Sequence, residues 1–179
     1  MGQGQTVRLD FHSTFEMLDF VQVVSEQIGR MAGLDEDARH WVNVAVRESV
    51  INAIKHGNAH DERKRVHVEF TPLHPGSPPR TPARWGGEPA SPSRPVARRG
   101  GEHCQATAGI QIRVRDEGPG FDPSTLPDPL APENLLKASG RGIFLIRSFM
   151  DEMVLKRAPE GGMEVVMIKR ASPVQDAVS

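Results

Sequence analysis

Residues 35–58 (DEDARHWVNVAVRESVINAIKHGN) constrain the fold most, because they predict a long helix that is apolar on one side and polar along another line. At about 100° per residue, the apolar residues share one face: Val42, Val46, Val50 and Ala53, with Ile54 beside them. Glu48, Asn52 and His56 are four residues apart, so a carboxylate, an amide and an imidazole form a line away from that face. An ionised carboxylate on such a helix must be paired, solvated in a cleft or bound to a metal. The pattern alone also fits a solvated helix face with a structural hydrogen bond.

The composition predicts one soluble domain over residues 1–179, since 37% hydrophobic and 25% charged residues suffice for a core. The net charge of -1 and the pI near 6.7 give no global basic surface, so no direct nucleic-acid partner is expected. The single cysteine, Cys104, excludes an intramolecular disulfide, and the seven histidines form no Cys/His cluster for zinc. Without a run of about 18 apolar residues or a signal-like N-terminus, we expect a cytoplasmic protein with no membrane contact.

Alternation and helical spacing predict the order of the elements. Strands are expected at residues 6–11, 65–71, 109–115, 154–157 and 164–169, and helices at 15–31, 35–58 and about 139–147. Gly33 marks the end of the first helix, Asp35 caps the second, and residues 160–162 (EGG) predict a hairpin turn. The last helix is nearly all apolar and is expected to be buried. The predicted fold class is α+β, a two-layer α/β sandwich in which helices cover one face of a mixed sheet.

Three segments are predicted to lie outside the core. Residues 72–108 are rich in Pro, Gly and Arg and contain eight of the fifteen prolines, so they predict a flexible insertion between two strands. Trp85, the only tryptophan of this insertion, is either a loop side chain or an anchor for a partner. Residues 123–139 predict a lid-like loop with one helical turn at 133–137, and residues 171–179 predict a disordered tail.

A glycine-rich turn, DEGPGF, begins at Asp116 after the third predicted strand. Gly118 and Gly120 let the backbone approach a flat or charged ligand closely, and Asp116 supplies a fixed acceptor that suits an adenine amino group. An ordinary tight turn would have the same pattern.

A second glycine-rich segment, SGRG at residues 139–142, opens the last predicted helix. Unpaired N–H groups and the positive end of the helix dipole can face phosphate at such a place, and Arg141 adds a cation. A simple junction between a loop and a helix would give the same sequence.

Together the three segments resemble the Bergerat-type ATP site of the superfamily that joins gyrase, an ATP-driven chaperone, histidine kinases and a mismatch-repair ATPase. The matching motifs are Glu48-x-x-x-Asn52 with Ala53, His56 and Gly57, then Asp116-x-Gly118-x-Gly120-Phe121, then Gly140-Arg141-Gly142. A lysine loop of the Walker type is absent from the sequence. The short chain, the lack of a phosphoacceptor helix and the run SGRGIFLIRSFMDEM are similar to the bacterial anti-sigma-factor serine kinases. This resemblance covers residues 6–170 without the insertion.

The resemblance implies ATP and Mg²⁺ as cofactors and a role for each matching residue. Glu48 would be the general base for the attacking hydroxyl, Asn52 would coordinate the magnesium, and Asp116 would bind the adenine amino group. The other implied nucleotide-binding residues are His56, Gly118, Gly120, Phe121, Ser139, Gly140, Arg141 and Gly142. Gly118 and Gly120 would shape the adenine pocket, and the third motif would hold phosphates under the lid.

The chain departs from the family pattern next to the predicted adenine pocket. Members commonly have threonine in the last strand, whereas Met163 and Glu164 follow Gly162 here. The insertion at residues 72–108 is also unlike compact members.

The resemblance implies an ATP-dependent protein serine/threonine kinase that acts as an anti-sigma factor. Its partners would be a sigma factor and an anti-anti-sigma protein, and it would form a homodimer. The alternative is a non-catalytic, nucleotide-regulated module that sequesters a partner, and the intact Glu48 favours the enzyme. The catalytic domain of a sensor histidine kinase is disfavoured, because no dimerising phosphoacceptor helix is present and the lid is short.

Overall fold

The computed structural model describes residues 6–73, 109–121 and 141–172. The strands are β1 (Val7–His12), β2 (Arg65–Leu73), β3 (Gly109–Arg115), β4 (Glu152–Arg157) and β5 (Met163–Arg170). The helices are α1 (Leu18–Met31), α2 (Glu36–Asn52) and α3 (Arg141–Phe149). A 3-10 turn at Phe15–Met17 precedes α1, and a π-helical turn at Ala53–Gly57 follows α2. The predicted lid at 123–139, its helical turn at 133–137, Trp85 and Cys104 lie outside the described residues.

The five strands form one open sheet in the order β1-β2-β3-β5-β4, with helices packed against it. The predicted α+β, two-layer architecture is confirmed. The expected mixed sheet is wrong for the strands described, because all four neighbouring pairs are antiparallel. Two helices, rather than one, connect β1 to β2, so the chain returns to the end of the sheet where β1 finished. A crossover through a single helix would have given a parallel pair.

The apolar stripe of α2 forms the centre of the core, as predicted. Val42, Val46, Val50 and Ile54 are each at most 1% exposed. They lie in one cluster with the inward side chains of β2 and β3, namely Val66, Val68, Phe70, Ile110, Ile112 and Val114. Full burial of such a side chain stabilises the fold by about 1.5–3 kcal/mol, so this stripe fixes which side of α2 faces the sheet.

The ends of α1 and α2 agree only in part with the prediction. Gly33 has φ +77 just beyond α1, and the Asp35 carboxylate accepts a hydrogen bond from Ala38 N at 2.8 Å as the cap of α2. The predicted first helix, 15–31, begins instead with a 3-10 turn. The predicted second helix, 35–58, changes to π geometry after Asn52, a difference that apolar periodicity cannot resolve over five residues.

The insertion begins later than predicted. Pro72 and Leu73 belong to β2, where Pro72 is opposite Ile110 of β3. The last pair between β1 and β2 joins Val7 to Phe70, so β2 has a neighbour on one side only at Pro72. A proline is tolerated there because its missing N–H interrupts no second ladder. Residues 74–108 lie outside the described part of the chain.

The predicted tail, 171–179, also begins too early. Ala171 is 8% exposed and belongs to the core, and Ser172 Oγ donates a hydrogen bond to Asp35 Oδ2 at 3.1 Å. Residues 173–179 are not among those that the structure describes.

The last helix is less buried than predicted. Ile146 and Met150 are buried, whereas Ile143, Leu145 and Phe149 are half-buried. The Phe149 ring stacks on Trp41 of α2 with ring centroids 3.3 Å apart and planes 5° apart. Among the described elements α3 packs mainly on α2, which explains why only one side of it is covered.

In the part of the chain that is described, none of the helices combines the length and the apolar character that crossing a membrane requires.

Candidate functional site

Asp116 follows directly after β3, and the residue is buried, with 4% of its surface exposed. Its Oδ1 accepts hydrogen bonds from Gly118 N at 2.8 Å and from Met163 N at 3.1 Å, and its own N–H donates to Met163 O at 3.1 Å. Burial raises the pKa of this carboxyl, while the two N–H donors oppose the rise. No donor to Oδ2 exists among the described residues, so one oxygen of a rigidly held carboxyl is left for a ligand.

Three glycines close around Asp116 so tightly that none of them could carry a side chain. A Cβ on Gly57 would lie 2.2 Å from Asp116 Oδ2, and a Cβ on Gly118 would lie 1.9 Å from Gly57 O. A Cβ on Gly162 would lie 1.9 Å from Asp116 O. The sequence identified Gly57 and Gly118 as motif residues but Gly162 only as part of the β4–β5 turn. Its contact with Asp116 depends on the pairing of β3 with β5, which no local pattern reveals.

Glu48 and Asn52 lie one turn apart on α2, and both are half-buried. They face Gly142 in the first turn of α3: a Cβ there would be 2.7 Å from Glu48 Oε2 and 3.3 Å from Asn52 Nδ2. Within the described residues, the Glu48 carboxylate has no hydrogen bond or ion pair. The first and third motifs therefore meet, and the positive end of the α3 dipole lies beside a carboxylate that no described residue pairs with.

The remaining predicted residues of the second motif form the rim of the site. Gly120 has φ +67, and Arg157 Nη2 donates to Pro119 O at 3.0 Å, which fixes the glycine turn to the end of β4. Phe121 is 40% exposed, and its N–H donates to the Met163 sulfur at 3.3 Å. His56 is exposed and makes no hydrogen bond or ion pair with any residue described.

The third motif is described only from its arginine onward. Arg141 is the first residue of α3, and Gly142 follows it. Ser139 and Gly140 lie outside the described residues.

The two residues that replace the usual threonine have different positions. Met163 is 5% exposed beside Asp116, where its backbone N–H supports Oδ1 and its sulfur accepts from Phe121 N. Glu164 points to the other face of the sheet, where it pairs with Lys156 Nζ at 3.0 Å. Met163 therefore occupies the place next to the carboxyl, and its thioether has no proton to donate.

Asn58 is a site residue that the sequence reading passed over as the end of a helix. Its side chain is fully buried. Its Oδ1 accepts from Glu117 N at 2.8 Å, and its Nδ2 donates to Arg65 O at 2.9 Å. In the sequence, Asn58 is a polar residue between Gly57 and a predicted strand. This pattern is too common to predict a hydrogen bond to a distant residue.

These features fit a nucleotide-binding class of site on an antiparallel α+β scaffold. The free Oδ2 of Asp116 suits an exocyclic amine, the glycines allow a flat ring to approach the backbone, and Glu48 and Asn52 offer oxygens of the type that Mg²⁺ prefers. The residues present thus fit ATP with magnesium.

Residues 11–169 match the family described as Histidine kinase-like ATPase domain. Because this match covers most of the chain, the protein belongs to that family. The membership supports ATP binding and an activity of the phosphotransferase or ATPase kind. No curated protein matches the chain at a significant level.

Proposed function

We propose that the protein is an ATP-dependent protein serine/threonine kinase that acts as an anti-sigma factor. It would phosphorylate an anti-anti-sigma protein and sequester a sigma factor when that antagonist is absent. The observation that carries the proposal is the half-buried Glu48 carboxylate, which has no partner among the described residues and lies beside Asn52 and Gly142. A carboxylate held without a partner lowers stability, and a general base is a reason to keep it.

Each side chain has a role in this proposal that its surroundings support. Asp116 Oδ2 would accept from the adenine amino group, since Oδ1 is already held by two N–H donors. The Asn52 amide oxygen would bind Mg²⁺, and Glu48 would take the proton of the substrate hydroxyl. ATP would supply the phosphoryl group, whose transfer depends on positioning and charge neutralisation more than on covalent help from the protein.

The proposed partners are a sigma factor, an anti-anti-sigma protein and a second copy of the chain, all in the cytoplasm. A surface is available for protein contacts on α1, where Phe20, Val23 and Met31 are 51%, 61% and 82% exposed. Strand β1 lies at an edge of the sheet among the described strands. Exposed apolar side chains and exposed strand edges are each typical of interfaces between protein chains.

The second candidate is a non-catalytic module that binds its partner in a nucleotide-dependent way. Such a module needs the environment of Asp116, but it gives no role to the Glu48 carboxylate, which has no partner among the described residues. The two functions therefore differ in what they predict for Glu48→Gln.

The deciding experiment uses labelled ATP and the candidate antagonists encoded beside the gene. Glu48→Gln is expected to bind ATP and partners as the wild type does, but to transfer phosphate about 10²- to 10⁴-fold more slowly, because it lacks the base. Asn52→Ala should lose transfer and most ATP binding, because it lacks the magnesium ligand. Glu36→Gln, an exposed change in the first turn of the same helix, is the matched control.

Two outcomes would decide against the kinase. Transfer by Glu48→Gln at the wild-type rate would remove Glu48 from the mechanism. Wild-type protein that binds a sigma factor in a nucleotide-dependent way, yet phosphorylates no antagonist, would establish the binding module instead.

A further inference from the structure

The buried side chain of Asn58 ties together three separate parts of the chain. Its Nδ2 donates to Arg65 O at 2.9 Å, Arg65 N donates to Glu117 Oε2 at 2.8 Å, and Glu117 N donates to Asn58 Oδ1 at 2.8 Å. The three hydrogen bonds form a closed ring that links the residue after the π-helical turn, the start of β2 and the second glycine motif. Asn58 is 0% exposed, so water cannot replace either of its bonds at low cost.

Asn58 and the residue before it contact two consecutive residues of the second motif. Gly57 packs against the Asp116 carboxyl, and Asn58 binds the backbone of Glu117. The π-helical turn Ala53–Gly57 connects these two residues to Asn52, the last residue of α2, and Glu48 lies one helical turn before Asn52. The position of Asp116 relative to those two residues is therefore set through Gly57 and Asn58.

We propose that Asn58 is a positioning residue for nucleotide binding: it fixes the Asp116 carboxyl relative to α2. This inference rests on the ATP site proposed above and adds to it a residue that touches no ligand. Only a side chain with one donor and one acceptor at this length can complete the ring. Aspartate offers two acceptors, alanine offers neither group, and glutamine is longer by one methylene.

The first test measures ATP affinity by titration calorimetry at a temperature where every variant is shown to be folded. Asn58→Ala is expected to weaken ATP binding about ten-fold or more, because Glu117 N and Arg65 O lose their partner and the Asp116 turn shifts. Phosphate transfer at saturating ATP should change less than about three-fold, since Glu48 and Asn52 are untouched. The matched control is Asn43→Ala, which removes an amide that donates to Glu26 Oε2 at 3.0 Å between α1 and α2. It should leave ATP affinity unchanged.

The second test uses pH to separate positioning from general damage to the fold. The neutral carboxyl introduced by Asn58→Asp has one O–H donor and one carbonyl acceptor, like the amide, whereas the carboxylate has no donor. Its ATP affinity relative to the wild type should therefore rise as pH falls from about 8 to about 5, because burial favours the neutral form. Asn58→Ala should show no such rise, and Asn58→Asp remains informative if Asn58→Ala does not fold.

The outcomes separate this inference from the proposed function. Wild-type ATP binding with an equal affinity in Asn58→Ala, or a pH-independent affinity ratio for Asn58→Asp, would overturn the role of Asn58 alone. Failure of the wild type to bind ATP would overturn both proposals. Loss of affinity with transfer preserved at saturation, together with recovery of Asn58→Asp at low pH, would establish the positioning role.

Discussion

At the scale of single residues, the Asp116 carboxyl combines two properties that oppose each other. It is buried, which disfavours its charge, and its Oδ1 receives two N–H bonds, which favour that charge. Buried ionisable groups with shifted pKa values are common at binding sites. A bound ligand can complete the hydrogen bonds of such a group. Oδ2 accepts no hydrogen bond from the described residues, and it is the atom that would accept from the adenine amino group in the proposed ATP site.

Asp116→Asn is expected to weaken ATP binding at least about ten-fold. The amide can still offer one oxygen to the Gly118 and Met163 N–H groups, but it places a donor where the adenine amino group needs an acceptor. Losing a hydrogen bond to a charged group in a desolvated pocket costs about 1.5–3 kcal/mol. Titration calorimetry measures the change, with the exposed Asp37→Asn of α2 as control. Equal affinity in Asp116→Asn would exclude Asp116 as the adenine ligand.

Although Asp116→Asn should weaken ATP binding, it should stabilise the fold relative to the wild type as pH rises. Because burial raises the pKa of Asp116 above its usual 3.8, the folded protein binds this proton more tightly than the unfolded chain does. The carboxyl therefore stabilises the fold at acidic pH, and this contribution is lost as pH rises through the folded-state pKa. The stability of Asp116→Asn relative to the wild type should increase between about pH 4 and pH 7. Urea unfolding at both pH values tests this, and a constant difference would contradict it.

At the scale of elements, the sequence was most informative where a pattern is local. The period-two alternation of GIQIRVR predicted β3 with its observed ends, and the Gly161-Gly162 pair predicted the β4–β5 hairpin. The stripe on α2 predicted the core. These features depend on residues only a few positions apart, which is the range over which periodicity and turn chemistry operate.

Features that depend on distant contacts could not be predicted. The hydrogen bond between Asn58 and Glu117 spans 59 residues, and the role of Gly162 depends on strand pairing. The π-helical turn Ala53–Gly57 was not predicted either, and the two residues at its end, Gly57 and Asn58, contact the second motif. Irregular turns of this kind are often found at functional sites.

Gly118→Ala is expected to disrupt the junction between the π-helical turn and the second motif. The added Cβ would lie 1.9 Å from Gly57 O, a backbone atom that cannot rotate away. The free energy of unfolding should fall by about 1–3 kcal/mol, and ATP binding should weaken as well. Gly29→Ala is the control, because its Cβ would meet only side-chain atoms, the nearest being Arg39 Cγ at 3.3 Å. Similar losses in both variants, measured by urea unfolding, would show that close packing at Gly118 is not the cause.

At the scale of the whole molecule, the helices occupy one face of the sheet, and the other face is divided. Across β1 to β3 it carries charged pairs, such as Arg8 with Glu69 at 2.7 Å and His67 between Asp10 and Glu117. Across β4 and β5 it carries the Lys156–Glu164 pair beside an apolar patch, in which Val154 lies opposite Val166 and both are buried. Exposed ion pairs contribute little stability each, so the fold depends on the helix-covered face.

The pairing of the end of β2 with the start of β3 gives the last prediction. Leu73 at the end of β2 is paired directly with Gly109 at the start of β3, so a short turn can join the two strands without moving either. We expect replacement of residues 74–108 by Asn-Gly to leave ATP affinity unchanged, since every described site residue lies elsewhere. The stability should stay the same or increase by up to about 2 kcal/mol, because closing a shorter loop costs less entropy.

Thermal melting and titration calorimetry on the shortened chain test both statements. The control replaces residues 74–108 with a Gly/Ser segment of equal length, which keeps the loop entropy and removes only the natural sequence. A lower melting temperature in both variants would show that the natural segment supports the fold. The buried apolar side chains of Val166 and Ile168 would then be the first surface to test by mutation. Weaker ATP binding in both, at unchanged stability, would instead assign the segment to the site and contradict the prediction that it is dispensable.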